Sequence, residues 1–135
     1  MRQEFQIHAS HPGNEGRPSI VFDTVWIPLE CACEIAEDEA GEEPRWAGFF
    51  TEHRVIIAPD PPYGRERLYT AVEALAAIAG MRAALIARAP IWAADMRWPS
   101  GWPGPEDLVA TLDLAADAVQ TQPAGTRFET FVQVG

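Results

Sequence analysis

The sequence predicts an α+β domain: an antiparallel sheet of about five to six strands, with one long and one shorter helix packed on one face. Three observations predict it. Stretches in the first half alternate apolar and polar residues, the period of a half-buried strand. From about Arg65 the period changes to the three–four spacing of an amphipathic helix. Most strands precede the helices, an order that favours helices gathered on one side of an antiparallel sheet. At 135 residues the chain is expected to form one domain, residues 1–135.

Residues 3–9 open the pattern, with Phe5, Ile7 and Ala9 on one side and Glu4, Gln6 and His8 on the other. Residues 11–18 hold two Gly, two Pro and an Asn, which mark a turn. Residues 19–29 are rich in β-branched and aromatic side chains and predict a second strand. Pro28 cannot donate to a ladder and should end the pairing or face an edge. Residues 31–36 alternate again. Residues 37–44 carry five carboxylates and a Gly and predict an exposed loop. The apolar runs 45–50 and 54–58 predict one bent strand or a short hairpin.

The turn residues Pro61, Pro62 and Gly64 precede a long Ala-rich helix. Its predicted buried stripe is Leu68, Ala71, Val72, Leu75, Ile78, Ala79, Leu85 and Ile86, and it should stop near Ala89, before Pro90. Gly80 weakens the middle of a helix by about 1 kcal/mol relative to Ala, which a close approach of another element would explain. A short strand is expected at 95–98. Pro105 at a first helical position, with Glu106 and Asp107 behind it, starts the second helix. Leu108, Leu112, Ala115 and Val119 form its stripe, joined by Val109 and Ala116. Residues 126–134 alternate as a last strand or a terminal arm.

The charge balance limits function. Twenty Asp and Glu oppose ten Arg, with no Lys, for a net charge of −10. Nucleic-acid binding needs clustered cations, and anionic membranes repel this excess. A basic protein partner is the complementary choice. No apolar run is long enough for a membrane span and no leader-type segment follows Met1. The expected location is therefore cytoplasmic, with Cys31 and Cys33 as reduced thiols.

No phosphate loop, dinucleotide fingerprint or nucleophile elbow is present. Cys31 and Cys33, two apart in a strand, share one face. They are expected to pack as core thiols; the alternative is half of a zinc site completed by His8 and His11. A thiol–imidazole pair of Cys33 with His53 is a further arrangement the residue types permit. Asp23 lies within an apolar strand, either on its wet face or as a carboxylate of altered pKa. The acid run Glu37, Asp38, Glu39, Glu42 and Glu43 is a solvated loop or a negative face for a partner. Arg97 and Trp102, in a segment rich in Trp and Pro, are the residue types of interface anchors.

The order Cys-bearing strand, acidic loop, aliphatic strand and Ala-rich helix with Glu73, Ala74 and Leu75, then a Trp-bearing segment, covers residues 31–102. It resembles small bacterial domains encoded as immunity proteins in polymorphic toxin systems. The resemblance implies a non-enzymatic binder, without cofactor, that occludes the active site of a toxin domain. The alternative is a small metal- or ligand-binding domain, with or without catalysis, built on Cys31, Cys33 and histidine.

Overall fold

A computed structural model describes residues 3–13, 18–25, 53, 55–58, 68–94 and 105–134. Strands β1 (Gln3–Ser10), β2 (Ser19–Val25) and β3 (Val55–Ala58) come first. Helices α1 (Ala71–Ala94) and α2 (Pro105–Gln120) follow, then strand β4 (Arg127–Val134). The protein is α+β, and among the described residues no helix is long and apolar enough to cross a membrane. The sheet has four strands among these residues, in the order β2-β1-β4-β3, rather than five to six. The strands expected at 31–36 and 45–50, and the one at 95–98, lie outside the described residues.

Three strands form an antiparallel sheet, as expected, and one edge departs from it. β1 pairs antiparallel with β2 and with β4, but β3 runs parallel to β4, from Val55↔Thr130 to Ala58↔Gln133. Parallel neighbours need a long crossover, and here both helices lie in the chain between β3 and β4. Tyr69 extends the same edge: it exchanges two backbone hydrogen bonds of 2.8 Å with Phe128. β4 is thus a central strand, not a terminal arm.

Period-two alternation sorts the side chains. Phe5, Ile7 and Ala9 of β1 join Val55 and Phe128 in a core completed by both helices. The helices therefore cover one face of the sheet, as expected. On β2 the pairing steps from Ile7↔Phe22 to His8↔Ile20, so Val21 is an extra, bulged residue. Phe22 packs edge-to-face on Phe5, ring centres 6.1 Å apart.

α1 departs from expectation at both ends. Its start is fixed by a reciprocal cap. Thr70 Oγ1 accepts from the Glu73 amide at 3.2 Å, and Glu73 Oε1 accepts from the Thr70 amide at 3.1 Å. Tyr69 is excluded from the helix because it spends its backbone groups on β4. At the other end the helix continues through Pro90 to Ala94. Pro90 lacks the N–H that would reach the Ile86 carbonyl. Ile86 itself lies on the exposed side of the helix, at 52% exposure.

The buried stripe of α1 is also rotated from the predicted one. Ala74, Ile78, Met81 and Leu85 are buried, whereas Val72 is 78% exposed and Ala79 faces water. α1 is apolar around most of its circumference, so the identity of its apolar residues does not choose a face. α2 has one apolar stripe only, and Leu108, Leu112, Ala115 and Val119 are buried as the spacing predicts. Gly125 turns the chain toward β4 at φ +84°, where a Cβ would also meet Pro12 Cγ at 3.1 Å.

Candidate functional site

The alternation that sends Phe5 and Ile7 to the helices sends Glu4, Gln6 and His8 to the other face. The register adds Asp23 opposite Gln6, and Glu129 opposite His8. These strands were expected to be half-buried, with this face wet. Instead Gln6, His8, Ser10 and Glu129 are at most 4% exposed and Phe131 is fully buried. Residues 5–10 of β1 and 128–131 of β4 are buried whichever face they stand on.

A hydrogen-bonded chain runs along β1. Gln6 Nε2 donates to Glu4 Oε2 at 3.2 Å, and Gln6 Oε1 lies 2.8 Å from His8 Nε2. A carboxylate oxygen accepts, so the Gln6 amide must turn its NH₂ toward Glu4 and its oxygen toward His8. That orientation makes His8 Nε2 the donor and assigns the neutral ring its Nε2–H form. The ring meets Phe131 edge-to-face, centres 5.9 Å apart. Burial pushes the His8 pKa below its usual value, against an opposing pull from the Asp23 carboxylate. Asp23 itself is exposed at the rim of this face, the wetter of its two expected positions.

An imidazole among carboxylates has the composition of an acid–base site. His8 itself is 2% exposed, and its bond to Gln6 joins two side chains of one strand. A one-residue slip of β1 would drive Gln6 and His8 into the apolar core, which pins the register.

The other two histidines also serve packing and tethering. His11 Nε2 is 2.8 Å from Gln122 Oε1, which ties the end of β1 to the segment after α2. His53 lies against α1 at Gly80, where a Cβ would sit 2.9 Å from His53 Nδ1. This is the close approach expected at that glycine. His8 and His11, proposed as zinc ligands, thus bond to different partners. Among the described residues no group of three or more His, Cys, Asp or Glu is placed to hold a metal ion. Cys31 and Cys33 lie outside the described residues, as do Glu37, Asp38, Glu39, Glu42, Glu43, Arg97 and Trp102.

A second candidate surface is the outer side of α2, which the sequence reading did not single out. Glu106, Asp107, Asp113 and Asp117 are all exposed there, around Leu114, which is 62% exposed. The signal was present in the spacing: Ala110, Asp113, Leu114 and Asp117 recur at helical intervals opposite the buried stripe. Arg82 of α1 reaches across, its Nε donating to Asp113 Oδ1 at 3.0 Å between two exposed side chains. Such a pair contributes at most about 1 kcal/mol. It neutralises one carboxylate of the four and leaves the face acidic.

Fold and surface together define an acidic α+β protein with a buried central strand pair and a carboxylate-bearing outer helix. No known protein family, no curated protein and no solved structure matches this chain.

Proposed function

We propose that the protein is a non-enzymatic binding module of the immunity type, which neutralises a basic toxin domain by covering its active site in the bacterial cytoplasm. The observation that carries this reading is the outer face of α2. Four exposed carboxylates surround an exposed leucine there, in a molecule of net charge −10. Acidic residues draw a cationic partner from a distance and orient it, while a central apolar side chain supplies contact energy once water is excluded. The buried His8 supports the same reading from the opposite direction, since the imidazole best surrounded by carboxylates is shut away from substrates. The residue types of Glu37, Asp38, Glu39, Glu42 and Glu43, and of Arg97 and Trp102, make them further proposed partner contacts.

The test is binding of the purified protein to the product of the adjacent gene, followed by calorimetry at two salt concentrations. A complex of micromolar affinity or tighter, weakened by salt, is expected. Absence of binding at micromolar concentrations to the products of both flanking genes would remove the proposal's support.

A further inference from the structure

No further inference is drawn: the strongest candidate, the exposed apolar stripe of Val72, Ala76, Ala79, Ala83 and Ile86 along the outer face of α1, is an unpartnered helix face, and nothing in the structure shows what covers it.

Discussion

His8 Nε2 lies 2.8 Å from the amide oxygen of Gln6, and both side chains are buried. The bond joins residues two apart on one strand, so it records the side of β1 on which both side chains stand. Replacing Gln6 with Leu removes the acceptor and leaves the buried ring N–H unsatisfied, a loss of about 1–3 kcal/mol. Urea unfolding measures it, and an unchanged midpoint would contradict the bond's structural role.

Acid should weaken the fold through the same ring. The folded-state pKa of His8 is lowered, so below its ordinary value of 6.5 the unfolded chain takes up a proton that the folded chain resists. The stability this gives is fully present above pH 6.5 and is lost as the pH falls through the folded-state value. Unfolding midpoints compared at pH 7.5 and 5.5 should drop further in the wild type than in His8→Gln. Equal drops would show that His8 is not the responsible group.

Gly80→Ala separates helix propensity from packing. The substitution favours the helix by about 1 kcal/mol, but the new methyl would lie 2.9 Å from His53 Nδ1 and push that ring aside. The single variant should gain nothing or lose stability. In a His53→Ala background the same change should add about 1 kcal/mol. A full gain in the wild-type background would mean that His53 is not held against the helix.

The capping pair at the start of α1 predicts a loss of about 0.5–2 kcal/mol for Thr70→Ala, largely restored by Thr70→Ser. Thermal unfolding of the three proteins decides it. Equal stability of the Ala and Ser variants would remove the hydroxyl from the account.

Leu112 and Leu114 are two residues apart with opposite roles. Leu112 is fully buried, and its truncation to Ala should cost about 2–5 kcal/mol. Leu114→Ala should change stability by less than about 0.5 kcal/mol while weakening the complex with a basic partner. Asp113→Asn with Asp117→Asn should slow association and flatten its salt dependence. Full partner affinity in both variants would move the contact surface away from α2.

The contrast between the two helices explains how much of the fold was legible. α2 alternates charged and apolar residues, so the sequence determines which side is inside: four of the six predicted stripe residues are buried, and Val109 and Ala116 are half-buried. α1 offers apolar residues in nearly every direction, and only its neighbours decide that Met81 is buried and Val72 is not. The helix runs through Pro90 because one missing donor weakens a helix without always ending it. The polar face of β1 misled for a different reason. Gln6 and His8 carry the signature of a wet face, yet both are buried and joined by a hydrogen bond. Sequence alternation reports polarity and not whether a polar group has a partner. The Gly80 contact was legible as a cost without its cause, since His53 lies far from it in the chain. On α2, Glu106 and Asp107 read as helix-start acids, while Asp113 and Asp117 carry the helical spacing that marks an acidic side.

β4 sits between β1 and β3, and its pairing with β1 joins Ser10 to Arg127. Of the four strands it is the last to emerge from the ribosome, and it is the one that bridges the others. Until it arrives, β1 and β2 form only a ribbon, and β3 has no neighbour among these strands. Assembly of the sheet must therefore wait for a contact between distant parts of the chain, which makes folding slow for a protein of this size. A nonsense mutation just ahead of Arg127 would leave the earlier strands as separate pieces.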